Sequence, residues 1–183
     1  ISTLGNWTAG GLLLDTAHDN EIHNNTIHTD GKNGLHSAIT LINSNRTDIS
    51  NNLINTRGAG TSNYGIWILN FSRNVNITSN VIFTNASSTA IGMLIANTTN
   101  TSIQNNTIRT NGRGQNNYGI NVRDNAHNTS IVNNTVITNG TGLDYGIWVT
   151  NEVTGGVVAN NTIHTNDSNS AGSDVGIYLQ TNV

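Results

Sequence analysis

NNTIHTD at residues 24–30 returns almost letter for letter as NNTIHTN at residues 160–166. Between them lie NNTIRTN (105–111) and NNTVITN (133–139), with the looser forms NNLINTR (51–57) and SNVIFTN (79–85). The six copies follow one another at 26 to 28 residues. A phrase kept at near-fixed spacing over most of a chain marks a repeat architecture, and it decides the fold before any single motif does.

A second phrase, a small residue followed by apolar–any–apolar, keeps the same beat. It reads GLLL (11–14), AITL (38–41), GIWI (65–68), GMLI (92–95), GINV (119–122), GIWV (146–149) and GIYL (176–179), at a spacing of 27 residues five times and then 30. Such a period predicts stacked rungs, each one supersecondary unit. Within a rung the local period is two: Ile66 and Ile68 flank Trp67, Ile147 and Val149 flank Trp148, and Ile120 and Val122 flank Asn121. That alternation belongs to strands with one buried face. The density of β-branched residues, Asn and Gly disfavours helix. The chain has no Pro, which suits a backbone whose N–H groups nearly all join ladders.

Three short parallel strands per rung follow. The first is the small–apolar phrase. The second carries Ile22, Ile49, Ile77, Ile103, Ile131 and Val158, and the third points Ile27, Ile54, Ile82, Ile108, Val136 and Ile163 inward. A tight corner between the second and third strands falls on the Asn pair, a residue that tolerates left-handed backbone and bonds its own turn. Asn25, Asn52, Asn80, Asn106, Asn134 and Asn161 share one register and are expected to form an inward amide ladder. Thr29, Thr56, Thr84, Thr110, Thr138 and Thr165 form a second inward ladder. Asn43, Asn70, Asn97, Asp124 and Asn151, after the first strand, form a third, also read as inward. These residues repeat for structure rather than for chemistry.

The ~27-residue rung, the Asn ladder at a tight corner and the variable loop before each G-I-x-V strand resemble the right-handed parallel β-helix proteins. That group includes the pectate-lyase-like superfamily and the NosD-like secreted or surface repeat proteins. The resemblance covers about residues 11–183 and implies an all-β, right-handed parallel β-helix (β-solenoid) of about 6–7 rungs. For function it implies little, because the architecture hosts lyases, hydrolases, adhesins and surface-layer proteins alike.

In lyase and glycosidase members the resemblance places catalysis on the outer face of the first strand. That chemistry needs clustered carboxylates, for calcium or for acid–base work. The outward positions here are Leu13, Thr40, Trp67, Leu94, Asn121, Trp148 and Tyr178, then Asp15, Ile42, Leu69, Ala96, Arg123, Thr150 and Gln180. Asp15 and Arg123 stand four rungs apart, ~19 Å at a strand spacing of ~4.8 Å, whereas glycosidase carboxylates sit ~5–10 Å apart. No catalytic residue is assigned. The six His residues fall in scattered registers, so neither metal nor cofactor is expected. The outward Thr row is broken by Leu53 and Val81, which weighs against an ice-binding array. Trp67, Trp148 and Tyr178, with Tyr64, Tyr118 and Tyr145 just before the strand, are either buried under the long loops or are candidate contacts for a glycan or partner, as exposed aromatics stack on sugar rings.

Composition narrows the classes further. Charged residues are 9% of the 183, and 35 Asn and 26 Thr carry the polar load. With a net charge of −3, the footprint of a nucleic-acid binder is missing. No apolar run reaches the ~18 residues of a membrane span. Fourteen N-x-S/T sequons occur, and Asn24, Asn105, Asn133, Asn160, Asn76, Asn128, Asn139 and Asn166 are candidate glycosylation sites. The whole of 1–183 reads as one solenoid domain, with 1–10 a partial first rung in which Trp7 is placed to shield core. Thr181-Asn182-Val183 follows directly on a strand, and no cap is evident at either end. The expected function is a non-catalytic, extracellular structural module of a surface layer, sheath or filament, stacking head to tail on itself or on flanking domains. A carbohydrate-binding or polysaccharide-processing β-helix is the alternative.

Overall fold

The computed structural model describes residues 1–114, 116–167 and 174–180. The reading of the C-terminal end, which rests on residues 181–183, lies outside them. The described chain coils into a three-sided parallel β-solenoid with sheets of seven, seven and six strands and no helix. Sheet 1 collects the small–apolar strands Ala9–Asp15, Leu35–Ile42, Ser62–Leu69, Thr89–Ala96, Asn116–Arg123, Leu143–Val149 and Val175–Leu179. Sheet 2 stacks His18–His23, Asn45–Ser50, Arg73–Thr78, Thr99–Gln104, Ser130–Val132 and Val157–Ala159. Sheet 3 stacks Ser2–Gly5, Thr26–Gly31, Leu53–Gly58, Val81–Ala86, Thr107–Gly112, Thr135–Gly140 and Thr162–Asp167.

The periodicity of two finds its cause in the core. Ile39, Ile66, Met93, Ile120 and Ile147 pair in register down sheet 1, and Ile49, Ile77, Ile103 and Ile131 down sheet 2. Ile27, Ile54, Ile82, Ile108 and Val136 do so down sheet 3, and all these side chains are essentially inaccessible. Each rung therefore buries an apolar residue from all three sides, and each only against its neighbours.

The second Asn of the repeated phrase is held as a continuous ladder. Asn106 shows the pattern: its Oδ1 accepts from the backbone N–H of Asn80 at 2.9 Å and from the Asn80 amide at 3.0 Å. Its own N–H and amide donate to Asn134 Oδ1 at 2.9 and 3.0 Å, and the amide also reaches the Ile77 carbonyl at 2.9 Å. The series runs from Asn25 through Asn52 to Asn161, each residue up to Asn134 donating to the next rung. The Thr column differs. Thr29, Thr56, Thr84, Thr110 and Thr138 are buried and Thr165 is half-buried. Thr56 donates to the Tyr64 carbonyl at 3.0 Å, but the hydroxyls of Thr29, Thr84, Thr110 and Thr138 have no partner. That column packs rather than bonds.

The third expected ladder is corrected. Asn43, Asn70, Asn97, Asp124 and Asn151 do not point inward; they are exposed or half-exposed and all have φ between +47° and +58°. The corner out of sheet 1 needs a left-handed residue there, and the buried side chains belong to Ser44, Ser72, Thr98 and Ala126 just beyond it. Two further left-handed columns run parallel. Asn24, Asn51, Ser79, Asn105, Asn133 and Asn160, the first letters of the repeated phrase, turn the chain from sheet 2 into sheet 3. Asp19, Arg46, Asn74 and Asn100 kink strands of sheet 2 themselves, and Asn128 stands just before Ser130–Val132. Asn is the residue that bears positive φ at least cost after Gly, and the three columns account for much of the Asn content.

Trp7 is 74% exposed and shields no core, in contrast to its expected role. Leu4 at the same end is 82% exposed. At the other end Ile177 and Leu179, in core registers, are 46% and 62% exposed, and Val158 in the core register of sheet 2 is half-buried.

Candidate functional site

The outer face of sheet 1, the first place to look for chemistry, is built mainly of aromatic and aliphatic columns. Tyr64 stacks on Trp67 with ring centroids 4.9 Å apart, Tyr118 on Trp148 at 4.8 Å, and Tyr145 on Trp148 at 5.2 Å. Ile91 and Leu94 fill the rung between the two groups, and Leu94 is 1% exposed. Burial pushes the Tyr118 hydroxyl up to about 12, Tyr145 adds to the shift and Arg123 opposes it. Trp67 and Trp148 are half-buried by these neighbours, and Tyr178 is the most open of the three at 39%. The rings spend their faces on one another. On the same face Arg123 pairs with the adjacent Asp124 at 3.2 Å, and Asp15 bonds only the hydroxyl of Thr16. The structure does not bring Asp15 and Arg123 together.

Inside the corner that leads into sheet 1 lies a polar column that period counting passed over. Asn63, Asn117 and Asp144 are fully buried, as is His36. Asn117 donates to Asp144 at 2.8 Å and accepts from the Ala90 N–H at 3.1 Å. His36 Nδ1 accepts from the Ala9 N–H at 3.0 Å, and its ring fills a slot left by Gly31, Gly58 and Gly60. The signal was available in sequence: a polar residue two positions before the small residue in five of the seven rungs. Burial lowers the His36 pKa below its usual 6.5, against the pull of the facing Asp30 carboxylate. The unfolded chain therefore takes a proton near pH 6.5 that the folded chain refuses. The stability this site contributes is complete above that pH and is lost as pH falls from 6.5 towards the folded pKa. Denaturation curves at pH 7.5 and 5 are expected to show an acid loss that His36→Gln reduces.

The outer face of sheet 3 carries a second surface. One outward column runs Asn55, Phe83, Arg109 and Ile137, and the next runs Arg57, Asn85, Asn111 and Asn139. Together with Thr84 and Thr110 they line a shallow groove of about 490 Å³, apart from Ile137. Arg113, just past the strand, lines an adjoining hollow with Arg57 and Asn85. All three guanidinium groups are exposed, and none is in an ion pair with a described residue. The charge count of the whole chain concealed this. Residues 49–123 hold five Arg and no Asp or Glu, while 1–48 and 124–183 hold five carboxylates each.

With the coil and its faces in view, one comparison decides the classification: the family model described as a right-handed β-helix region matches residues 2–167. The chain belongs to that family. No match was found among curated proteins or solved structures.

Of the β-helix's candidate glycosylation sites, Asn24, Asn105, Asn133 and Asn160 occupy the exposed left-handed corner, and Asn76, Asn128 and Asn166 are also exposed; Asn139 is half-buried. Asn76 spends its amide on Asp48 at 2.7 Å and Asn128 on Asn100 at 3.1 Å. Asn105, Asn133 and Asn160 lie on successive rungs ~4.8 Å apart, so sugar on one would crowd the next. No group of three or more His, Asp or Glu able to hold a metal occurs among the described residues of the β-helix.

Proposed function

We propose that this β-helix is a non-catalytic structural module of an extracellular surface layer, sheath or filament, joined end to end through its terminal rungs. The observation that carries the reading is the state of those rungs. Each end of the described coil presents unpaired parallel edges beside incompletely covered core residues, Leu12 and Leu14 at one and Val158, Ile177 and Leu179 at the other. Such edges are satisfied by another rung of the same kind, from a second copy or from flanking rungs of a longer chain. The Asn ladder fits this: its first member leaves Oδ1 of Asn25 as an acceptor and its last leaves the Asn161 N–H as a donor, so head-to-tail joining continues the series. An extracellular setting is supported by the sequons, none of whose fourteen Asn is buried.

Negative-stain electron microscopy with light scattering tests the self-joining. Rods whose length and mass grow with protein concentration are expected; discrete monomers at high concentration would overturn it. Carbohydrate binding is the second reading. The observation in its favour is the Arg–Phe–Asn groove of sheet 3 rather than the aromatic face of sheet 1, whose rings are already occupied with each other.

A further inference from the structure

We propose that the outer face of sheet 3 binds an extended anionic polysaccharide, laid along the stack across strands Leu53–Gly58, Val81–Ala86 and Thr107–Gly112. Arg57 and Arg109 stand two strands apart on this face, about 10 Å along the coil axis, with Arg113 at the loop edge beside them. Guanidinium groups bind carboxylate or sulfate through paired N–H bonds. Arg57 is already steered by Asn55, whose Oδ1 accepts from its Nε at 3.2 Å.

Charge decides the class of ligand. The nearest carboxylate in register is Asp30, one strand away from Arg57 and not ion-paired with it, and the next two strands of the face carry none. A ligand entering the groove therefore meets Arg109 with no carboxylate in its column, and Arg57 and Arg113 with Asp30 alone beside them, a net positive face. The remaining lining argues for sugar. Phe83, 36% exposed and next to Arg109 in its column, offers an apolar face to a pyranose ring. Asn55, Asn85, Asn111 and Asn139 offer amides that both donate and accept, as vicinal hydroxyls require. The parallel stack repeats these groups at one strand spacing, the geometry of a linear chain of rings rather than of a single small anion. One exposed aromatic is too few to make a stacking platform for single-stranded nucleic acid.

The test is titration calorimetry of the intact chain with four probes at 50 mM salt: a sulfated polysaccharide (heparin), a carboxylated one (polygalacturonate), neutral dextran and single-stranded DNA. Binding to heparin or polygalacturonate but not dextran is expected, weakening at least about tenfold by 300 mM salt; the tighter of the two names the acidic group. The doubly substituted Arg57→Gln/Arg109→Gln chain should lose at least about tenfold, and Phe83→Ala several-fold. All three side chains are exposed, so circular dichroism should be unchanged. The proposal is overturned by absence of binding to both acidic polysaccharides, by affinity that survives the double substitution, or by equal affinity for DNA. It is equally overturned if the double substitution instead abolishes a salt-sensitive self-association in the absence of ligand, which would make the face an interface between copies. The substitutions leave the end rungs intact, so rod formation reports separately on the end-to-end reading.

Discussion

Asn106→Ala is expected to lower the unfolding free energy by about 4 kcal/mol, because it strands several buried groups at once. The Asn80 N–H loses its acceptor, the Asn80 amide keeps only the Ile49 and Thr78 carbonyls, and the Ile77 and Gln104 carbonyls lose a donor. The Asn80 N–H and the Ile77 carbonyl cannot turn to water, since Asn80, Asn106 and Ile77 are at most 1% exposed, and a ladder of polarised amides is weakened on both sides of a break. Two contrasts make the result specific. Asn161→Ala, half-buried in the last full rung, should cost only about 1 kcal/mol. Thr110→Val removes a buried hydroxyl that has no partner, so it should be neutral or slightly stabilising. Urea denaturation followed by circular dichroism checks all three; equal losses for Asn106→Ala and Thr110→Val would show that the amide ladder bears no special load.

The second large effect is expected from Gly92→Val. A Cβ at this position would lie 2.5 Å from the backbone oxygen of Gly119 in the next rung and 2.3 Å from Cγ2 of Ile108 across the core. The rungs cannot move apart without breaking ladders in all three sheets, so the strain has no cheap outlet. A loss of more than about 4 kcal/mol, or failure to recover folded protein, is expected. Ala38 occupies the same register and is fully buried, so the stack accepts a single methyl there. Gly92→Ala should therefore cost about 1–3 kcal/mol, read as a drop in thermal midpoint. A Val variant as stable as the parent would mean that the small residue is not there to admit Ile108.

How far the fold could be read depended on what each signal encodes. The inward Ile columns were legible because two periods, two within a strand and about 27 between strands, both point to the same residues. The Asn25-to-Asn161 ladder was legible for the same reason. The Asn43-to-Asn151 column was misread because identity and spacing carry no φ, and a left-handed corner residue turns its side chain outward. The His36, Asn63, Asn117 and Asp144 column went unseen because its chemistry changes from rung to rung while its position does not. The Arg groove went unseen because net charge sums over the chain, and two acidic thirds hide a basic middle. Burial of Trp67 and Trp148 was legible as one of two alternatives, but its cause was not, since the cover comes from Tyr64, Tyr118 and Tyr145 stacking on them.

That alternation of acidic, basic and acidic thirds has a consequence for assembly. Joining copies end to end brings two segments of like sign together at every junction, with a repulsion that fades as the screening length contracts to ~10 Å at 0.1 M salt. The basic middle rungs respond in the opposite sense, since the proposed anionic partner would be held most tightly when salt is scarce. If both proposals hold, ionic strength acts as a selector: dilute surroundings favour single coils clothed in polyanion, and saline ones favour bare coils joined into rods.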